Sequence, residues 1–309
     1  MASSRSENGF RTLIQLESSA LLVTVLPEVG GKVGQIHDRA TGSDLLVPPQ
    51  RPYRTIPIDG DWLEHDTSGM DDCFPNVSKG TYPDFPWVGK HLPDLGVWTH
   101  GAWKIRTADA REIVIEAEGN TLPYFATKKI CFVDEQTLEL SYQVENRGQF
   151  PIRYLWSAHP LISVPCEFDL EMAPGDLTFR LFPGDGEVRA WPTFKSTTLS
   201  SEWIPRGADL KVFVIGLKEG WCALRLPTHS LRFSFDLRTL PVVGIWFNNY
   251  GFPAGSDRPF RCIAVEPCTS PSDLLDELDP AAYPSIAVNG IAQWSMQLSI
   301  SQHGLAEAE

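Results

Sequence analysis

Apolar and polar residues alternate with period two along much of the chain, and no long run carries helical spacing. The clearest case is 292–300, where Ala292, Trp294, Met296, Leu298 and Ile300 alternate with Gln293, Ser295, Gln297 and Ser299. Successive strand side chains point to opposite faces, so this pattern predicts a strand with one buried face. Leu138, Leu140, Tyr142 and Val144 repeat it over 137–146, and Leu231, Phe233 and Phe235 over 230–236. Further strands are predicted over 12–16, 21–26, 32–37, 103–107, 112–118, 126–133, 152–157, 178–182, 211–217, 221–226, 242–248 and 261–265. About fifteen short strands with hairpin-length connections imply an all-β fold, a large antiparallel β-sandwich. One short helix is predicted over 270–278, with Ser270 as cap, Pro271 in the first turn and Asp273 completing Ser-x-x-Asp. Two stretches, 48–101 and 172–205, lack periodicity. The first holds Trp62, Trp87 and Trp98, with Trp103 just beyond, an aromatic content that argues for a functional segment rather than disorder.

Composition agrees with the pattern. The 24 Gly and 25 Pro spread along 309 residues suit turns between strands and not long helices. With no linker or repeat to divide it, the chain is expected to form a single domain over 1–309, with flexible tails at about 1–10 and 302–309. The formal charge of -13 disfavours nucleic acid and anionic membrane surfaces as partners. No apolar run approaches the ~20 residues of a membrane helix and residues 1–10 are polar, so a soluble, cytoplasmic protein is expected. Six Cys at 73, 131, 166, 222, 262 and 268 show no CxxC spacing and are expected to be reduced thiols.

Four segments could carry chemistry. In Trp156-Ser-Ala-His159-Pro160 a histidine leaves an apolar strand, where its ring either faces a cavity or is a hydrogen-bonded structural group. In Ala264-Val-Glu266-Pro-Cys268 an apolar strand ends in a carboxylate, which burial obliges to find a partner or a polar pocket. Asp71, Asp72 and Asn76 within 69–76 suit sugar hydroxyls, with a tryptophan to stack on the ring, or else form a solvated turn. His100, followed by Gly101, is a ligand-facing or an ordinary loop histidine. No GxGxxG, GxSxG or HExxH is present, and neither cofactor nor metal is expected.

Taken in order, five stretches resemble the aldose 1-epimerase (galactose mutarotase-like) superfamily, in its divergent bacterial branch. They are Leu26-Pro-Glu-Val-Gly-Gly-Lys-Val33 with Thr41-Gly-Ser-Asp-Leu45, Gly69 to Asn76, Trp156 to Pro160, Gly244-Ile-Trp-Phe-Asn248, and Val265-Glu-Pro-Cys-Thr269 with Asp273-Leu274. The resemblance spans about residues 20–300 and implies a galactose mutarotase-like supersandwich. It implies Glu266 as general base and His159 as general acid; Asp71, Asp72, Asn76, Trp98, His100, Trp246 and Asn248 are the residues expected to bind the sugar. The activity implied is interconversion of the anomers of a free sugar. A base takes the C1 hydroxyl proton, an acid protonates the ring oxygen, and the ring opens and recloses; each partner is worth roughly 100- to 10,000-fold. Relatives of this branch commonly read Leu-Pro-Asp-His-Gly where this chain has Leu95 before Gly96, so a non-catalytic carbohydrate-binding or sensing protein is the alternative. A small-molecule sugar is the partner expected, on a monomer or homodimer.

Overall fold

The computed structural model describes residues 13–303 except 59, 66, 165–166, 185, 192–198, 201–203 and 255–257. Residues 1–10 and 304–309 of the expected tails, and Cys166, lie outside the described residues. Strands dominate, and they form two large antiparallel sheets of eleven and nine strands among the described residues.

The nine-stranded sheet is the one the alternation announces. Glu112–Glu118, Tyr124–Phe132, Thr137–Asn146 and Ile291–Gln302 bury every second residue, and Leu138, Leu140, Tyr142 and Val144 stand opposite Leu298, Met296, Trp294 and Ala292 in register. One face packs inward and the other meets solvent, as period-two patterning requires. The eleven-stranded sheet behaves differently. Its central strands, Ser157–Ser163, Arg261–Cys268 and Val242–Asn249, are buried almost throughout. Met70–Cys73 pairs beside Ser157–Ser163, and Ala208–Leu217 beside Val242–Asn249.

The sheets share one core. A single cluster of buried apolar residues takes members from both, among them Val243 and Val265 from one side and Tyr142, Trp294 and Leu298 from the other. Trp98 stacks on Phe74 at 4.6 Å and on Trp294 at 6.4 Å between centroids, so it fills the space between the sheets. Buried charge crosses the same space. Lys128 of the nine-stranded sheet pairs with Asp72 of the other and donates to Gly31 O at 2.8 Å, while Tyr142 donates to Asp72 Oδ1 at 2.6 Å. A carboxylate this deep is tolerable only with such donors.

Two expectations from the sequence are corrected by the fold. Residues 270–278 form a series of bends, not a helix. Ser270 Oγ donates to Ala282 O, and Ser272 Oγ accepts from Leu274 N, so both hydroxyls serve local turns; a short 3-10 helix follows at Pro280–Ala282. The strand expected over 152–157 is two elements: Ile152–Arg153 pairs with Ser285–Ile286, and Ser157–Ser163 belongs to the large sheet. His159 and Glu266 therefore lie inside strands and not at their ends.

Candidate functional site

Strand register assembles the site on the face of the eleven-stranded sheet that turns away from Asp72. Ser157 opposes Cys268 and Leu161 opposes Ala264, which brackets His159 and Glu266 as facing residues two places in from either pair. Glu266 opposes Gly244, Trp246 opposes Ala264, and Lys211 opposes Trp246. Residues opposed or two apart share a face, so His159, Glu266, Trp246 and Lys211 project together. Gly244 leaves room beneath them: a Cβ there would come 3.2 Å from both Cβ and Oε2 of Glu266, which would have to shift by a few tenths of an ångström.

Four charged or titratable groups converge. His159 Nε2 lies 3.9 Å from Glu266 Oε1. Glu266 Oε2 accepts from Lys211 Nζ at 2.9 Å and from Ser157 Oγ at 3.1 Å, and Lys211 Nζ also reaches Asp273 Oδ1 at 2.8 Å. One ammonium thus serves two carboxylates. Glu266 has no solvent exposure, and its Oε1 is buried without a hydrogen bond.

Above this floor lies a cavity of about 230 Å³, smaller than the ~300–1,000 Å³ typical of drug-sized ligands. His159, Lys211 and Asp273 line it; Glu266 sits behind them. Trp246 stacks on the His159 ring at 5.9 Å with 24° between planes, and Trp62 meets that ring edge-on at 6.0 Å, so two indoles flank the imidazole. Trp246 is fixed by its indole N–H, which donates to Asp209 Oδ2 at 3.1 Å. Asp94 and Leu95 complete the rim.

The loop carrying Asp94 and Leu95 is delivered by backbone geometry. Val97 N donates to Phe74 O at 2.7 Å, and Gly96 adopts φ +72°. A Cβ on Gly96 would lie 2.3 Å from Phe74 O, so only glycine permits this approach.

Electrostatics follow from burial and this crowd of charges. Burial, then the positive charges of Lys211 and Lys32, lower the His159 pKa to about 3, so its imidazole is neutral near pH 7. Burial, with the Glu266 charge adding to it against Lys211, raises Asp273 to about 6. Burial alone would lower the Lys211 pKa; Asp273 and Glu266 outweigh it and push it up. Asp94 is raised by burial.

Of the residues expected from the sequence, the structure brings His159, Glu266 and Trp246 together and places the others elsewhere. Asp72 and Trp98 belong to the space between the sheets, held there by Lys128 and by the Phe74 and Trp294 rings respectively. Asp71 lies directly across from His159 but is ion-paired to Lys32 at 3.0 Å, and that ammonium also donates to Ser68 O. Asn76 donates to Ser78 O and Pro93 O, which braces the Asp94 loop instead of reaching the cavity. His100 Nδ1 lies 2.9 Å from Gly96 O and 2.8 Å from Thr99 Oγ1, a loop contact outside the cavity lining. Asn248 donates to Phe252 O and Phe260 O and accepts from Gly251 N and Phe252 N, so it shapes the turn that brings Phe252 to the cavity wall. Lys211, Asp94 and Asp209 are not among the residues expected from the sequence. A signal for Lys211 exists all the same: a lysine in Leu210-Lys-Val-Phe-Val214 must find a buried partner.

No group of three His, Cys, Asp or Glu with metal-site geometry occurs among the described residues. Among the same residues no helix is long and apolar enough to cross a membrane. Cys73, Cys131, Cys222, Cys262 and Cys268 are free thiols.

No protein-family profile matches the chain, and no curated protein matches it in sequence. Solved structures do match over nearly its whole length. An Escherichia coli K12 protein proposed to be an aldose 1-epimerase is 15% identical with TM-score 0.73, over 94% of this chain and 99% of that one. A galactose mutarotase-like protein from Lactobacillus casei ATCC 334 is 16% identical with TM-score 0.69, over 94% and 100%. A galactose mutarotase related enzyme from Lactobacillus acidophilus is 14% identical with TM-score 0.70, over 96% and 99%. The chain has the galactose mutarotase-like fold. At these identities the likeness establishes the sandwich, while the chemistry of this chain must be argued from its own side chains.

Proposed function

We propose that the protein is an aldose 1-epimerase-like isomerase that interconverts the anomers of a free sugar by opening and reclosing its ring. The observation that carries this reading is the single wall on which His159, Lys211 and Asp273 face a small cavity flanked by Trp62 and Trp246. Indole faces suit the apolar face of a pyranose, and adjacent proton donors and acceptors suit the two oxygens that share its anomeric carbon. The three structural neighbours, an aldose 1-epimerase by proposal and two proteins akin to galactose mutarotase, support the same class of chemistry. The test is equilibration of a freshly dissolved pure anomer, followed by polarimetry or proton NMR. Acceleration of at least one aldose is expected; none across a broad panel removes the proposal.

A second reading, a carbohydrate-binding protein without turnover, is favoured by one feature. Glu266 is fully buried and held by Lys211, so it does not itself reach the cavity. That reading gives sugar-dependent thermal stabilisation with no change in the rate of anomer equilibration.

A further inference from the structure

The cavity carries more apolar lining than one face of a sugar ring needs. Trp62 and Trp246 already supply the indoles that flank His159, yet Val77, Leu95, Phe182 and Phe252 line the cavity too. Strand register places part of this wall. Phe182 opposes Lys211, which opposes Trp246, whereas Glu266 opposes Gly244, so the row of Phe182 and Trp246 lies two residues, about 7 Å, along the strands from the row of Glu266 and His159. Phe252 extends the wall, its ring edge-on to Trp246 at 5.3 Å. A hydroxyl set against these side chains would have no partner. The methyl group that a 6-deoxyhexose carries on C5, which the ring oxygen joins to C1, suits them instead.

Leu95 is the marked position in this wall. It is nearly buried, and its backbone sits at φ +57°, a left-handed conformation that leucine rarely adopts and that asparagine, aspartate and histidine adopt more readily. Leu95 N donates to Val77 O at 2.6 Å and Gly96 follows at φ +72°, so the loop fixes the conformation and an apolar side chain stands where polar ones would sit with less strain. Strain of this kind persists where the surroundings impose it, and it concentrates at ligand sites.

Charge narrows the ligand further. Lys211 is held by Glu266 at 2.9 Å and by Asp273 at 2.8 Å, Asp94 and Asp209 add two more carboxylates, and no arginine lines the cavity among the described residues. A phosphate or carboxylate on the ligand would enter against this negative charge with its one neighbouring ammonium already shared. Within the reading of the cavity as a sugar site, on which this rests, we propose that the ligand is an uncharged 6-deoxyhexose and that Leu95 selects its methyl group over a hydroxymethyl. An added hydroxyl left without a partner in an apolar pocket gives roughly 10- to 100-fold discrimination.

The experiment is calorimetric binding, by the full chain, of matched sugars in the glucose, galactose and mannose series of both configurations: the hexose, its 6-deoxy form, its 6-phosphate and the pentose that lacks C6, each also followed for anomer equilibration. At least one 6-deoxyhexose is expected to bind roughly 10- to 100-fold tighter than its parent hexose, and tighter than the pentose, with the 6-phosphate weakest. Leu95→Asn, which keeps the left-handed backbone with less strain, is expected to bring the ratio of 6-deoxyhexose to hexose affinity close to one. A purely structural role would weaken both sugars alike and leave that ratio in place. The assignment is overturned by a hexose, pentose or 6-phosphate that binds as tightly as the 6-deoxyhexose in every series, and equally by an unchanged ratio in Leu95→Asn. The wild-type series decides without the variant should the variant not fold. Accelerated equilibration of hexoses with no 6-deoxy preference removes this assignment alone; a chain that neither binds nor equilibrates any of these sugars removes the sugar-site reading and this assignment with it.

Discussion

Lys211 Nζ donates to Glu266 Oε2 at 2.9 Å from the neighbouring strand but one, across Val242–Asn249, and neither partner is more than slightly exposed. Because Lys211 also holds Asp273, its removal strands two buried carboxylates at once. Breaking a buried pair by deleting one partner costs about 3–5 kcal/mol, whereas replacing both partners can be nearly neutral. Lys211→Met should therefore lower unfolding free energy by at least that range in urea melts at pH 7, and Lys211→Met/Glu266→Gln should recover part of it. A double variant as unstable as the sum of its single variants would show that the pair does not couple.

His159 makes the protein acid-sensitive. Its pKa falls from the ordinary histidine value of 6.5 to about 3 in the folded chain, so the unfolded chain binds more protons between those limits. Stability contributed by neutral His159 is complete above pH 6.5 and is lost toward pH 3, at about 1.4 kcal/mol per unit. Asp273 runs the other way: raised from 3.8 to about 6, it favours the folded state as pH falls through that window. Relative to wild type, His159→Gln should gain stability as pH drops from 6.5 to 4.5, and Asp273→Asn should lose it. Parallel stability curves for the three proteins would contradict both shifts.

Much of the architecture was legible in the sequence, and the difference between its two sheets explains which parts were not. Glu112–Glu118 and Thr137–Asn146 were readable to the residue because one face of each meets solvent and the alternation is clean. Arg261–Cys268 and Ser157–Ser163 are buried on both faces, so Glu266, Pro267, His159 and Pro160 read as ends of apolar runs when they are interior positions. Adjacent Asp71 and Asp72 look equivalent in sequence, yet the pleat sends Asp72 into the space between the sheets and Asp71 to the other face. Lys211 could not be placed in the site from sequence because its partners come from 55 and 62 positions further along the chain, a pairing that only strand order creates.

The buried group between the sheets gives a separate stability test. Asp72 is satisfied by Lys128 and by Tyr142 OH at 2.6 Å, all three nearly or fully buried. Tyr142→Phe keeps the ring stacked on Trp294 at 5.6 Å but removes one donor to the carboxylate. A charge-linked hydrogen bond lost in such a place costs about 1.5–3 kcal/mol. Because Asp72 faces away from the cavity, sugar affinity should stay unchanged, measured by calorimetry beside the denaturant melt. A large fall in affinity would mean that the two faces of the eleven-stranded sheet are coupled.

Gly96 and Gly89 separate backbone strain from steric approach. Both adopt positive φ, +72° and +82°, so alanine at either carries the left-handed penalty of roughly 1–2 kcal/mol. Around Gly89 nothing lies within 4 Å of an added Cβ, whereas at Gly96 that atom would meet Phe74 O at 2.3 Å and Phe74 N at 2.6 Å. The obstacle is backbone, which a rotamer change cannot clear. Gly96→Ala must therefore push the 93–96 loop outward and break the bond from Val97 N to Phe74 O, and Asp94 and Leu95 move with it away from the cavity. Gly89→Ala should cost only the conformational penalty and leave sugar affinity intact. Gly96→Ala should cost clearly more and weaken affinity as well, read by thermal melts with and without sugar; equal effects at the two positions would show that the approach to Phe74 does not hold the cavity rim in place.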